Sequence, residues 1–126
     1  MVVTTAARHV LAEYRGCPAD RLDDLDALER LMRAAAQAAG ATVIDARFHR
    51  FAPHGVSGVL LLLESHLSIH TWPEAGYAAV DLYTCGTCDP EAAHRVLVDG
   101  LAARTSETMV VHRGLDAPGP MLQVAR

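Results

Sequence analysis

Between Gly55 and Gly86 the chain reads GVSGVLLLLESHLSIHTWPEAGYAAVDLYTCG, and this stretch limits the fold more than any other. An apolar run, Val59 to Leu63, stops abruptly at Glu64-Ser65-His66. Val56 to Glu64 is expected to be a strand, with a leucine run too apolar for a surface position. Leu67 to Trp72 is expected to be the next strand. Tyr77 to Cys85 follows with clear alternation: Ala78, Val80 and Leu82 point one way, and Tyr77, Asp81, Tyr83 and Cys85 the other. Short strands in succession, separated by Gly and Pro, require a largely antiparallel sheet. One of its faces would carry His66, Ser68, His70 and Trp72 beside Tyr77, Asp81, Tyr83 and Cys85. That face is neither a plain core nor a plain solvated surface, so it is read as functional or partner-facing.

The rest of the chain supplies what covers the sheet. His9 to Tyr14 is a first strand, and Arg15 to Arg21, with Gly16 and Pro18, a loop. From Asp24 to Ala39, Leu25, Leu28, Leu31, Met32 and Ala35 recur at helical spacing, with Asp23 or Asp24 as cap and Gly40 as stop. Thr42 to Phe51 is a strand with Ile44, Ala46 and Phe48 on one face. Pro90 opens a second helix running to about Arg104. Glu107 to Arg113 is a last strand, and the tail from Gly114 is expected to be irregular. The order predicts one domain over residues 1–126, an α/β two-layer sandwich with two helices on one face of the sheet.

Composition matters mainly for what it excludes. A net charge of −4 and a pI near 5.9 argue against nucleic acid as a partner. No apolar stretch approaches the roughly 18 residues of a membrane span, and the N-terminus lacks the pattern of a secretion signal. A cytoplasmic location is therefore expected, where Cys17, Cys85 and Cys88 would form no disulfide framework.

Taken alone, the reactive side chains allow several chemistries. Ser65, His70 and Cys85 match a nucleophile, a base and a proton donor, yet Ser65 also suits a turn hydroxyl and Cys85 a small buried hydrophobe. His70 is equally readable as a hydrogen-bonded strand residue, and Trp72 as packing. Residues five apart on an unbroken strand face opposite ways, so Ser65 and His70 cooperate only if the chain turns or breaks. Cys85-Gly86-Thr87-Cys88 has redox-motif spacing but does not open a helix after a first strand. A zinc site drawn from His66, His70, Cys85 and Cys88 lacks the usual paired spacing, so no metal is expected.

The string LESHLSIHTWPEAGYAAVDLYTCG resembles the signature of the prokaryotic S-adenosylmethionine decarboxylases, small pyruvoyl-dependent enzymes of spermidine synthesis. HVLAEYRGC and GATVIDARFHRFAPHGVSGV fall in the same family order, and the likeness extends to about Arg113. The resemblance implies that the proenzyme cuts itself at Glu64-Ser65 into a 1–64 β chain and a 65–126 α chain. Ser65 would become the pyruvoyl group that forms a Schiff base with substrate. It implies His70 as the proton acceptor in processing, Ser57 as its helper and Cys85 as the proton donor in catalysis. Phe51 would stack on adenine and Glu74 bind the ribose hydroxyls, with Leu67 and Trp72 lining the pocket. It further implies a homodimer, sheet against sheet, as a four-layer αββα sandwich.

The sequence departs from the family pattern at Ala75, Tyr83 and Cys88. Pyruvoyl-dependent ornithine or arginine decarboxylases share the machinery and stand as an alternative. A non-catalytic regulatory module on the same scaffold is the other, although Ser57, Ser65, His70 and Cys85 are all present.

Overall fold

The computed structural model describes residues 5–115 and 122–125. Its elements are β1 (Ala7–Arg15), α1 (Ala19–Leu22), α2 (Leu25–Ala38), β2 (Val43–Arg50), β3 (Val56–Leu62), β4 (Ser65–Trp72), a 3-10 turn (Pro73–Ala75), β5 (Tyr77–Cys85), α3 (Pro90–Gly100), β6 (Thr105–Arg113) and β7 (Leu122–Ala125). The strands form one antiparallel sheet in the order β2-β3-β4-β5-β1-β6-β7. The α/β architecture expected from the sequence is thus present, with three corrections of detail. A short helix, α1, occupies part of the predicted loop. The last helix ends at Gly100 rather than near Arg104, because Ala102 takes a left-handed φ of 50° and turns the chain back to pair with β1. The tail was expected to be irregular, but its residues 122–125 add an edge strand to β6.

Alternation decides which face is covered. Val10, Ala12 and Tyr14 of β1, Leu60 and Leu62 of β3, Leu67 and Ile69 of β4, and Ala78, Val80 and Leu82 of β5 are buried. They pack against Leu28, Met32 and Ala35 of α2 and against Ala93 and Leu97 of α3. Asp24 caps α2 by accepting from Ala27 N–H at 3.1 Å, and Asp89 caps α3. The two helices touch closely where Gly100 meets Leu31: a Cβ on Gly100 would lie 2.1 Å from the leucine methyl. Likewise the Phe48 ring packs against Gly58, leaving no room there for a side chain.

Among the described residues no layer covers the other sheet face. Val59 and Leu61 are 40% and 51% exposed, and Leu11, Trp72 and Met109 are also exposed. The leucine run is therefore buried on one side only, which corrects the reading of β3 as too apolar for a surface. Ile44 also departs from expectation. A bulge between Val43 and Asp45 breaks its register with Ala46 and Phe48, and the side chain is exposed.

Candidate active site

Two clusters lie at opposite ends of β4, the first of them on the open face. One is built across β2, β3 and β4, where His49 pairs with Ser57 and Ser57 with His70. Directly opposed residues on one face bring their side chains together. Ser57 Oγ and His70 Nδ1 are 2.7 Å apart, so hydroxyl and imidazole share a hydrogen bond. With Arg47, His49, Val59 and Ser68 they line an open cavity of about 490 Å³. Phe51 follows β2, is exposed, and meets the His49 ring edge-on at 4.6 Å. Trp72 stacks on Tyr77 at 5.1 Å, two residues beyond His70. Desolvation, with the Glu13 carboxylate that accepts its hydrogen bond, pushes the Tyr77 phenol up to about 12. Glu74 lies on the 3-10 turn, its carboxylate 3.2 Å from His54 Nε2.

The second cluster surrounds the Glu64-Ser65 bond. That bond sits in the tight turn between β3 and β4, where Leu62 pairs with Ser65. Thr42 holds the turn from β2's side: its N–H donates to Glu64 Oε1 at 2.9 Å, and its carbonyl accepts from Leu63 N–H. Ser65 has a φ of 150°, a region populated almost solely by glycine. Such a conformation stores on the order of 1–3 kcal/mol in the backbone beside the bond. β4 and β5 run in register from His66↔Tyr83, and extending that register places Cys85 opposite Glu64. Cys88 lies beneath, buried. Burial first, then the nearby Glu64 and Cys85, raise its thiol. Ser65 is half-buried at an exposed turn with a thiol-bearing strand alongside.

Between the clusters lies a polar group that the sequence reading had placed on the face without pairing its members. Asp81 accepts from Ser68 Oγ at 2.9 Å, and its other oxygen lies 3.1 Å from His9 Nε2. His9 and His66 both pack on Tyr83, over which the Arg113 guanidinium sits at 4.8 Å. Burial, then the neighbouring His9, hold the His66 imidazole below its usual range, against an opposing pull from Asp81. His9 escaped notice because only the β1–β5 pairing brings it to Asp81's edge. Alternation alone does not say which strands are neighbours.

Ser57, His70, Phe51, Trp72 and Glu74 thus gather at one end, and Ser65 and Cys85 at the other. Leu67 joins neither. Its side chain is fully buried on the helix-covered face, so the expectation that it lines the pocket is met by no exposed atom of that side chain. The reason is parity, since Leu67 is an odd step from His66, Ser68 and His70. Among the described residues no three His, Cys, Asp or Glu side chains converge as metal ligands, and no helix is long and apolar enough to cross a membrane.

Known proteins resemble this chain along most of its length. A family model described as S-adenosylmethionine decarboxylase matches residues 8–114. The S-adenosylmethionine decarboxylase proenzyme of Geobacillus sp. (strain WCH70) is 48% identical over 111 residues, covering 88% of this chain and 90% of that one. The proenzyme of Bacillus velezensis (strain DSM 23117) is also 48% identical, covering 88% of each chain. The crystal structure of the adenosylmethionine decarboxylase from Aquifex aeolicus VF5 superposes with a TM-score of 0.79 at 38% identity, covering 93% of this chain and 98% of that one.

Proposed function

The chain belongs to the S-adenosylmethionine decarboxylase family, and from that premise we propose that it cuts itself at Glu64-Ser65 and works as a homodimer whose active sites each draw on both protomers. The reaction is that of the family: carbon dioxide leaves S-adenosylmethionine, and the product is an aminopropyl donor for spermidine synthesis. The relatives found give no support to ornithine or arginine as substrate, or to a non-catalytic module. A cytoplasmic location belongs to the same reading.

The observation that carries the proposal is the position of Ser65. In processing, the Ser65 hydroxyl attacks the Glu64 carbonyl, the peptide C–N bond breaks, and an ester replaces the amide. A hydroxyl next to a strained backbone in a fixed turn has a lower barrier for that shift, since strain is relieved as the amide opens. A base then takes the Ser65 α-proton. The Cβ–Oγ bond breaks, Glu64 leaves as a free carboxylate, and water releases ammonia to leave a pyruvoyl group at residue 65. When present, that carbonyl binds the substrate amine and draws in the electrons left by carbon dioxide, a task beyond ordinary side chains.

The chain's own residues do the rest. His70, oriented by its bond to Ser57, suits the removal of the α-proton. Cys85 returns a proton to the substrate carbon, and thiols as a class titrate close enough to neutrality to do so. Phe51 and Trp72 offer exposed aromatic faces for the adenine. Glu74, on its exposed turn, suits a pair of neighbouring hydroxyls.

Ser65 and His70 stand five residues apart on a strand hydrogen-bonded on both sides, about 16 Å at 3.3 Å per residue. No reacting atom touches both within one protomer. A twofold axis that packs open face on open face brings the Ser65 end of one protomer to the His70 end of its partner, and it covers Leu11, Val59, Leu61 and Met109. Denaturing mass spectrometry tests the processing. The expected result is two chains divided before residue 65, with Ser65→Ala giving one chain of 13.5 kDa. An intact, fully active wild-type chain would overturn the proposal.

A further inference from the structure

The nucleoside end of the site is carried on two loops that meet at His54 and Glu74. Phe51 and His54 lie in the connection between β2 and β3, and Glu74 in the 3-10 turn after β4. His54 Nε2 stands 3.2 Å from Glu74 Oε2. Among the described residues the Glu74 carboxylate accepts no hydrogen bond, so its charge contact with His54 is what biases its orientation.

The loop that presents His54 is fixed from below. Phe51 N–H donates to Gly55 O at 2.8 Å and closes the loop. Asp23, just before α2, accepts from Gly55 N–H with one oxygen at 2.8 Å and from the Arg50 guanidinium with the other at 2.6 Å. The two bonds, with the Arg50 charge, hold the Asp23 carboxyl below the usual carboxylate range. Gly55 has a left-handed φ of 104° and runs against the Thr71 carbonyl, where a Cβ would come within 3.2 Å. The next residue, Val56, donates its N–H to Thr71 Oγ1 at 2.9 Å, and that hydroxyl donates to Leu22 O at 2.7 Å. The base of α2, the loop and the end of β4 are therefore one hydrogen-bonded unit. His54 is set on it independently of Glu74.

We propose that His54 is a positioning residue for ribose recognition: it holds one oxygen of Glu74 so that the other faces the sugar hydroxyls as a fixed acceptor. The proposal rests on the reading of Glu74 as the ribose-binding carboxylate. A carboxylate on an exposed turn otherwise loses rotational freedom each time substrate binds, and a cation already in place reduces that cost. The contact is an ion pair when the His54 imidazole is protonated. The effect belongs to binding rather than to the chemical step, because Glu74 is remote from the bonds that change.

The test uses processed enzyme carrying His54→Ala, His54→Lys or Glu74→Ala. It measures kcat and KM with S-adenosylmethionine, and inhibition by 5′-methylthioadenosine and by its 2′,3′-dideoxy form. His54→Ala is expected to raise KM on the order of three- to tenfold with kcat held. His54→Lys, which keeps a positive charge within reach of the carboxylate, should restore most of the loss. The alanine variant should weaken 5′-methylthioadenosine but leave the dideoxy compound, which has no hydroxyls to place, unaffected. If Glu74→Ala raises KM and His54→Ala does not, the inference fails while the role of Glu74 stands. Should Glu74→Ala leave KM unchanged, the ribose reading fails and the inference goes with it. Equal weakening of both inhibitors by His54→Ala would show a loop-folding role and overturn the proposal.

Discussion

If each active site joins the Ser65 end of one protomer to the His70 end of the other, two crippled chains must rescue each other in a calculable amount. Ser65→Ala destroys one half-site and His70→Ala the other, and each homodimer is defective at both of its sites. Random pairing of the two variants, expressed equally, makes about half of all dimers mixed. In a mixed dimer one site unites intact Ser65 with intact His70, while the other holds both defects. Activity should therefore return to about one quarter of wild type, and about one quarter of all chains should be cleaved. The control comes from the β4–β5 register, which puts Cys85 at the Ser65 end. Cys85→Ala paired with His70→Ala should be rescued in the same proportion. Cys85→Ala paired with Ser65→Ala should not, because both defects occupy the same half. The assay is carbon dioxide release from the co-expressed mixture, and mixed dimers purified through two different tags should show about one half of wild-type activity. No recovery in verified Ser65→Ala/His70→Ala dimers, or recovery in the Ser65→Ala/Cys85→Ala pair, would refute the reasoning from the 16 Å separation, itself about five residues at 3.3 Å each.

Three further outcomes follow from single side chains. Cys85→Ala should leave chain cleavage intact, read by mass spectrometry, and lower turnover by about 10²-fold or more, the usual loss when a proton donor is removed; undiminished turnover would remove Cys85 from the mechanism. Leu67→Ala, made in the uncut Ser65→Ala background, should cost about 2–5 kcal/mol in urea unfolding because it opens a cavity under a fully buried side chain; unchanged stability would contradict its place in the core. Asp23 has a folded-state pKa lowered chiefly by Gly55 N–H and then by Arg50. Its stabilisation is present above the ordinary carboxylate pKa of about 3.9 and is lost as pH falls through the lower folded value. Asp23→Asn, in the same background and at matched protein concentration, should flatten the stability–pH curve below about pH 4. Parallel curves for the two proteins would sink that assignment.

The sequence by itself determined six of the seven strands, most of their faces and the identity of the reactive side chains. Alternation in Tyr77–Cys85 and helical spacing in Leu25–Ala38 are properties of neighbouring residues, and burial of one face follows from them directly. For the same reason it showed that Ser65 and His70 are out of phase on β4. Rare residues in a long signature likewise carried the family. What the sequence left open depends on pairing between segments far apart in the chain. The strand order sets His9 beside Asp81, the bulge in β2 exposes Ile44, and the loop after β2 meets the 3-10 turn at Glu74. Local periodicity fixes which way a side chain points but not which strand lies next to it. Register and strand order are settled by the hydrogen-bond ladder and the packed core together, so only the tertiary structure set Ser65 and His70 at opposite ends of an unbroken β4 and left one apolar sheet face exposed.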